Sequence, residues 1–203
     1  MAREYARLMV KIWDDPDWLN LTGDEQTSYA ALISSQDLDY AGILPYLPSR
    51  YAHICRKMTE RKFIAALGAL EAITPPFVVI DRETAEILVR TYIRHDEVLR
   101  IPNVAKAMAK AVGKIRSPRL RAVVIDELVG LTIEAPDAKG WRGIEDGYPD
   151  LYAEVAARAS LGVRGTLTGT LPRTDALLPS TFNIRPSSSD SEAPSPRAYR
   201  KAS

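Results

Sequence analysis

A pair of helical patterns that lie close together constrains the fold of this chain most. The first begins at Pro48 or Ser49 and runs to about Lys57, with apolar residues on one side. Thr59 can cap the second, whose apolar residues recur at helical spacing until Pro75-Pro76 stops it. The break between the two patterns is short, so the sequence predicts two helices joined by a tight turn.

The sequence before this pair predicts three further elements. Residues 5–13 alternate with the period of two that is typical of a half-buried strand. Thr22 and Glu25 have the spacing of a capping box at the start of a helix over about residues 22–35. The apolar pair Ile43-Leu44 predicts a brief strand within the loop that follows.

A hairpin is predicted after the paired helices. Phe77–Ile80 and Glu86–Ile93 are β-branched and aromatic runs, and residues 81–85 join them as a polar turn. Helix, short helix, longer helix and hairpin is the order of a winged helix-turn-helix. The predicted fold class is therefore mainly α with a small β-sheet, and residues 1–98 are assigned to a winged helix-turn-helix domain.

The rest of the chain predicts a helical extension and a tail. Three helices are predicted there, over about residues 102–115, 117–131 and 148–159. The first two can pack as an antiparallel pair, and residues 132–147 predict a loop rich in glycine. We assign residues 99–160 to the helical extension. Residues 161–203 are assigned to a flexible, disordered tail, because they are rich in Gly, Ser, Thr and Pro.

Composition excludes several classes of protein. The longest apolar runs fall far short of the roughly 20 residues that span a membrane. The first residues also lack the apolar core and cleavage site of a secretory signal, so we expect a cytoplasmic protein without a membrane partner. Cys55 is the only cysteine, and His53 and His95 stand alone in different predicted elements, so we expect neither a disulfide nor a metal site.

No pattern of catalytic residues stands out, so we expect a protein that is not an enzyme and needs no cofactor. Asp14, Asp15 and Asp17 surround Pro16, where turn geometry favours Asp more than metal binding does. The sequence lacks the histidine pair of rolling-circle nicking enzymes. No glycine-rich phosphate loop precedes a helix.

The formal net charge is only +1, so any affinity for nucleic acid must follow from the distribution of charge. Five basic residues lie in and beside the paired helices: Arg50, Arg56, Lys57, Arg61 and Lys62. The predicted outward face of the second helix carries Arg61, Lys62, Ala65, Ala66 and Ala69. Cations and small side chains suit a helix that lies in a major groove. A solvated helix face without a ligand is the alternative.

A second basic zone covers residues 98–125, which contain no acidic residue. Its seven cations are Arg100, Lys106, Lys110, Lys114, Arg116, Arg119 and Arg121. Lys106, Lys110 and Lys114 are spaced by four, so on one helix they predict a ridge that can follow a phosphate backbone. Arg82, at the predicted hairpin tip, can reach a minor groove or a phosphate. The alternatives are a solvated basic face, an ordinary polar turn and a patch for an acidic protein partner.

Four segments carry a family resemblance: IWDDPDWLNLT (Ile12–Thr22), LDYAGILP (Leu38–Pro45), VRTYIRHD (Val89–Asp96) followed by IPNV (Ile101–Val104), and SPRLRAVVIDEL (Ser117–Leu128). Over about residues 5–131 the chain resembles the winged-helix replication initiators and replisome organisers of phages and actinobacteria. In that family the first segment looks like the lead-in strand and turn, the second like the approach to the helix-turn-helix, and the third like the second wing strand. The resemblance implies a role in DNA replication with replisome proteins as partners.

The sequence therefore predicts a protein that binds double-stranded DNA through a winged helix, in the initiation of phage or mobile-element DNA replication. The candidate DNA-binding residues are Arg50, Arg56, Lys57, Arg61, Lys62, Arg82, Lys106, Lys110, Lys114 and Arg116. A homodimer through the helices of residues 102–131 would suit paired half-sites. A transcriptional regulator and a winged-helix module that binds only proteins are the alternatives.

Overall fold

The computed structural model describes residues 6–54 and 56–165, which form a mainly helical fold with a three-stranded antiparallel sheet. The helices are α1 (Pro16–Leu19), α2 (Gly23–Ile33), α3 (Pro48–Ala52), α4 (Glu60–Ala72), α5 (Tyr92–His95), α6 (Pro102–Val112), α7 (Pro118–Glu134), α8 (Gly140–Gly147) and α9 (Pro149–Gly165). The strands are β1 (Ile43–Pro45), β2 (Val78–Asp81) and β3 (Glu86–Val89), and 3-10 turns cover Val10–Asp14 and Val98–Arg100. The predicted fold class is confirmed at this level.

Side-chain caps start several helices where the sequence predicts them. The Thr22 hydroxyl accepts a hydrogen bond from the Glu25 amide at 3.4 Å, and the Glu25 carboxylate accepts one from the Thr22 amide at 2.7 Å. This pair is the predicted capping box. Thr59 caps α4 by accepting from the Lys62 amide at 3.3 Å, and Ser117 caps α7. Each cap satisfies an amide that has no partner within its helix.

The sheet has the strand order β1-β3-β2, and both pairs are antiparallel. The predicted hairpin is confirmed, with Ile80 opposite Ile87, and so is the brief strand that contains Ile43. β3 ends at Val89, so the prediction of a strand as far as Ile93 is wrong over its last residues. The chain forms α5 there instead.

Both neighbours of β3 begin opposite its last residues, because the strands are antiparallel. Pro75 and Pro76 precede β2, and they have no N–H for a strand ladder. On the other side, Gly42 precedes β1 with a φ of +82°, and a Cβ atom on Gly42 would lie 2.9 Å from the Val89 carbonyl oxygen. Beyond the hydrogen bond that the Arg90 amide donates to the Phe77 carbonyl, the chain after β3 therefore has no strand partner, which explains why it turns into a helix.

One continuous hydrophobic cluster joins the helices and the sheet. Within it, the rings of Trp18, Tyr29 and Phe77 meet edge to face, with centroid separations of 5.6, 6.2 and 5.5 Å. α2 and α3 pack on α4, and both α4 and α7 pack on β2. The predicted division into a domain of residues 1–98 and an extension of residues 99–160 stays a prediction.

The predicted N-terminal strand is wrong over the residues that the structure describes. Residues 6–14 contain no strand, and the chain forms a 3-10 turn there. Leu8, Met9 and Val10 are all exposed, so the alternating sequence buries neither of its faces. Without a buried face, the hydrophobic contribution that holds a half-buried strand to a sheet is missing.

Two predicted helices end earlier than expected. α3 ends at Ala52 rather than near Lys57, because none of the described residues between Ala52 and Phe63 is buried. A short helix that gains no packing is not stable. α6 ends at Val112, where Gly113 follows as the C-cap. Glycine is a poor helix former, so it ends the helix before the predicted end at residue 115.

The predictions for the helical extension hold only in part. The predicted loop of residues 132–147 contains α8. The first two helices of the extension do not form the expected antiparallel pair, because α6 packs on α8 and α7 packs on α9. α9 runs to Gly165, so residues 161–165 of the predicted tail are helical. The remainder of that tail, residues 166–203, lies outside the described residues.

Two glycines of α8 allow its close approach to the chain around the start of α6. A Cβ atom on Gly140 would lie 2.4 Å from the Leu99 carbonyl oxygen, and one on Gly143 would lie 2.4 Å from the Pro102 carbonyl oxygen. No side chain fits in either place. The glycines that favoured a loop in the sequence are therefore required for backbone contact between helices.

We expect Gly143→Ala to lower the free energy of unfolding by about 1–3 kcal/mol, because the added methyl group meets the backbone of Pro102. Gly68→Ala in α4 is the matched control, since nothing lies within 4 Å of a Cβ atom there. Alanine should stabilise that helix by about 0.5–1 kcal/mol. Urea unfolding of both variants, followed by circular dichroism, measures these changes. Wild-type stability of Gly143→Ala would contradict the close contact.

Candidate nucleic-acid interface

Three exposed cations lie near the start of α4. Arg56 and Lys57 belong to the turn between α3 and α4, and Arg61 belongs to the first turn of α4. None of the three forms an ion pair with a residue that the structure describes. We call Arg56, Lys57 and Arg61 the open cations. Their charges are available to an anionic ligand.

The helix pair beneath the open cations is held by buried contacts. The ring centroids of Tyr51 and Phe63 are 6.0 Å apart, and the Tyr51 hydroxyl donates a hydrogen bond to the Pro45 carbonyl at 3.0 Å. Burial, together with the nearby Asp37 carboxylate, raises the pKa of Tyr51 to about 12. The hydroxyl therefore stays protonated at neutral pH and keeps this bond, which fixes α3 against β1 and α4.

The other two predicted cations of the helix pair are ion-paired. Arg50 Nη1 lies 3.0 Å from Asp37 Oδ2, and Lys62 Nζ lies 3.2 Å from Asp24 Oδ2. The side chains of Arg50, Lys62 and Asp24 are more than half exposed, whereas Asp37 is only 24% exposed. Ion pairs at the surface contribute about 0–1 kcal/mol, so an anion can compete for these two cations.

The outward face of α4 differs from the prediction at one position. Ala66 is buried, because it lies three residues after Phe63 and four before Leu70, on the stripe that faces the core. The exposed residues of α4 as far as Gly68 are Glu60, Arg61, Lys62, Ile64, Ala65 and Gly68. This face therefore combines charged side chains at its N-terminal end with small or apolar ones further along.

Arg82, at the hairpin tip, lies against α4. Its Nη1 atom is 3.8 Å from Glu71 Oε2, and its guanidinium carbon is 6.0 Å from the centroid of the Tyr46 ring. The other oxygen of Glu71 accepts a hydrogen bond from the Ile80 amide at 3.0 Å. Glu71 thus binds both the hairpin and its arginine to α4, and the role predicted for Arg82 in DNA binding stays a prediction.

The basic zone of residues 98–125 is largely neutralised in three dimensions. Each of its four arginines pairs with a carboxylate from outside the zone: Arg100 with Glu97, Arg116 with Glu86, Arg119 with Glu71, and Arg121 with Glu154. Arg121 and Glu154 share hydrogen bonds that favour the charged form of both side chains. These bonds lower the pKa of Glu154 and raise the pKa of Arg121. The local charge excess in the sequence therefore overstates the charge that this zone presents.

The three lysines of the zone remain, but not as one helical ridge. Lys106 and Lys110 lie on α6, which ends before Lys114, so the predicted ridge is wrong at its third member. Lys106 is half-buried, since its side-chain carbons pack about 3.5 Å from the Cβ position of Gly147. Lys110 and Lys114 are exposed. Burial raises the pKa of Asp39, against the hydrogen bonds from the Ile43 and Ala41 amides and the positive charge of Lys114, which lower it.

A partly buried ionic cluster that the sequence analysis missed joins the chain after β3 to α7. Glu127 is 7% exposed and accepts hydrogen bonds from both Arg90 and Arg94. Arg94 also binds Glu134. Burial disfavours the charge of Arg94, yet the two carboxylates raise the pKa of Arg94 above its ordinary value. These partners are 33, 37 and 40 residues apart, so no local pattern in the sequence signals the cluster.

No model of a known protein family, no curated protein and no solved structure matches this chain. The resemblance to winged-helix replication initiators therefore stays a prediction. Within residues 6–54 and 56–165, no group of three or more His, Cys, Asp or Glu side chains is placed to hold a metal ion. No described helix is long and apolar enough to cross a bilayer.

Glu86 joins the hairpin to the turn before α7. Its buried carboxylate accepts hydrogen bonds from the Ser117 amide at 2.8 Å and from the Arg116 amide at 3.2 Å. Burial alone would raise the pKa of Glu86, but these amides, with the side chains of Thr84 and Arg116, lower it below the ordinary value. The ionised form is therefore favoured in the folded protein.

We expect Glu86→Gln to lower the free energy of unfolding at pH 7 by about 1–3 kcal/mol, because an NH2 group replaces one carboxylate oxygen and one of the two amide donors loses its acceptor. A lowered carboxyl pKa gives stability that is present above the unfolded value and is lost as the pH falls through the folded value. The difference between wild type and variant should therefore shrink below about pH 4. Urea unfolding at several pH values measures it.

Glu83→Gln is the matched control for this experiment, because Glu83 is an exposed residue of the hairpin turn. It should unfold like the wild type at every pH. A difference between wild type and Glu86→Gln that stays constant down to pH 3 would contradict the role given to the ionised carboxylate.

Proposed function

We propose that this protein binds double-stranded DNA without catalysing a reaction, and that α4 docks in the major groove. The observation that supports this most is the group of open cations at the start of α4. In helix-turn-helix proteins the second helix of the pair enters the major groove with its N-terminal residues toward the bases. The N-terminal end of α4 is where exposed charge is concentrated.

We also propose that α2 to β3 form a winged helix. The order of helix, strand, two helices and hairpin, with the first strand paired to the last, supports this fold. The hairpin would be the wing. Because Glu71 and Glu86 hold the hairpin against α4 and the turn before α7, we assign DNA contact mainly to α4 rather than to the wing.

The open cations divide into two roles under this proposal. Arg61 is nearest to the bases and can donate two hydrogen bonds to O6 and N7 of a guanine. Arg56 and Lys57 lie in the preceding turn and contact phosphates, which position a protein without reading sequence. Lys110 and Lys114 are further candidates for phosphate contact, whereas the paired Arg116 contributes to the fold.

The proposal also has a more specific form, which is a role in the initiation of phage or mobile-element DNA replication. In this form the partners are replisome proteins and the location is cytoplasmic. It is supported by the family resemblance of residues 5–131. The alternative of a transcriptional regulator shares the same DNA surface. A homodimer that reads paired half-sites would fit either role.

A second candidate function is docking to another protein. The observation that favours it is a set of exposed apolar side chains in the N-terminal segment: Leu8, Met9, Val10, Trp13 and Leu19. Exposed apolar residues that occur together are typical of interaction sites. In this case the chain would bind its partner through residues 8–19, and the open cations would be a solvated helix face.

We expect the full chain to bind random-sequence duplex DNA with a log–log salt slope of about −1.8, if Arg56 and Lys57 each make one phosphate contact. The double variant Lys57→Ala/Arg61→Ala should reduce the slope to about −0.9 and weaken binding at low salt. Fluorescence anisotropy over a range of salt concentrations measures both quantities. Arg61→Ala alone should also reduce any preference for guanine.

The control is Lys139→Ala/Arg142→Ala, which removes the same two residue types from exposed positions before and within α8. This variant should bind like the wild type. An unchanged affinity of Lys57→Ala/Arg61→Ala, or a wild type that does not bind duplex even at low salt, would reject the proposed function and favour the protein-docking candidate.

A further inference from the structure

Two carboxylates lie beside the proposed DNA surface and hold two of its cations. Asp24 of α2 pairs with Lys62 of α4, and Asp37, in the loop after α2, pairs with Arg50 of α3. Lys62 is exposed on α4, and Arg50 is exposed on α3, which packs on α4. We propose that Asp24 and Asp37 set the DNA affinity of this surface, by holding Lys62 and Arg50 in internal ion pairs that a phosphate must displace. This inference rests on the proposed function.

The Asp24 pair is built to exchange easily. Asp24 lies in the first turn of α2, where the helix dipole favours a negative charge with or without Lys62. Both side chains are more than half exposed, so their attraction is screened by water. A phosphate oxygen accepts the same charge-assisted hydrogen bond from an ammonium group as a carboxylate oxygen does. Lys62 can therefore pass from Asp24 to a DNA phosphate, but only where that phosphate competes with the carboxylate for the ammonium group.

The Asp37 pair is held more firmly. Asp37 Oδ2 is shielded from solvent and accepts no hydrogen bond from the described residues, although Arg50 Nη1 lies only 3.0 Å away. The Arg50 charge therefore offsets the negative charge of this carboxylate, and its departure removes that offset. Because the Arg50 side chain is itself 60% exposed, it can swing out toward an anion once that cost is met.

Together the two pairs divide the cations of this surface into two sets. The open cations Arg56, Lys57 and Arg61 can meet any duplex that approaches. Arg50 and Lys62 contribute only where a phosphate lies close enough to outcompete a carboxylate, and the freed carboxylates then repel the DNA backbone. The wild-type surface should accordingly bind random DNA more weakly than its count of cations suggests.

The test uses the full chain and random-sequence duplex, with anisotropy measured across a range of salt concentrations. Asp24→Asn and Asp37→Asn should each lower Kd at low salt by about three- to tenfold, and the salt slope should steepen by about 0.9 for each cation released. Asp37→Asn should have the larger effect. Asp126→Asn is the matched control, because it removes one negative charge from the Arg158 pair between α7 and α9. We expect its affinity and slope to stay at wild-type values.

A second experiment, in a chain that carries Lys62→Gln, distinguishes the release of Lys62 from the simple loss of a negative charge that repels DNA. If Asp24 acts by holding Lys62, then Asp24→Asn should no longer steepen the slope in a chain that already carries Lys62→Gln. A steeper slope that persists there, or tighter binding with an unchanged slope, overturns the inference. Circular dichroism of each variant verifies that it is folded.

The outcomes also distinguish this inference from the proposed function. If the wild type binds and Lys57→Ala/Arg61→Ala weakens binding, but Asp24→Asn and Asp37→Asn behave like Asp126→Asn, only the inference is wrong. If the wild type does not bind duplex at all, the proposed function and the inference both fail.

Discussion

The hydrogen bonds of the Glu86 carboxylate fix the relation between the hairpin and the helices that follow it. A buried carboxylate is tolerated only where donors surround it, and the amides at the start of α7 supply them. The Ser117 hydroxyl adds a second tie, to Asp81 on the neighbouring strand. The hairpin is therefore bound on one side by these contacts and on the other side by Glu71, so both sides hold it in place. Beside this hairpin, α4 keeps an exposed outward face.

In the described part of the chain, arginines and lysines differ in how often they form ion pairs with carboxylates. Most of its arginines bind carboxylates on other elements, whereas Lys62 is the one described lysine with a carboxylate partner. The planar guanidinium can bind a carboxylate through two parallel hydrogen bonds, as Arg121 does with Glu154, while an ammonium group is a strongly hydrated point charge. An arginine without a carboxylate is therefore the exception here, and two such arginines, Arg56 and Arg61, lie next to the start of α4.

The sequence predicted best those features that depend on residues close together in the chain. The caps at Thr22 and Thr59 and the turn between β2 and β3 depend on residues a few positions apart, and all were found as expected. Glycines misled for α8, because the same residue permits either a loop or a close backbone contact, and only the neighbour at Pro102 decides which. For the candidate site, local sequence revealed the cations but not their partners. Whether an arginine is free depends mostly on carboxylates more than ten residues away, which no local pattern contains.

The contact of α8 with the start of α6 limits how these two helices can move. It joins backbone to backbone, so no change of side-chain rotamer can loosen it, and either helix can open only if the two separate along their contact. Amide protons of α6 and α8 should therefore exchange with solvent in one cooperative opening. Lys106 and Lys110 are carried on that unit. An anion bound to these lysines would accordingly slow amide exchange in α8, including residues that it does not touch.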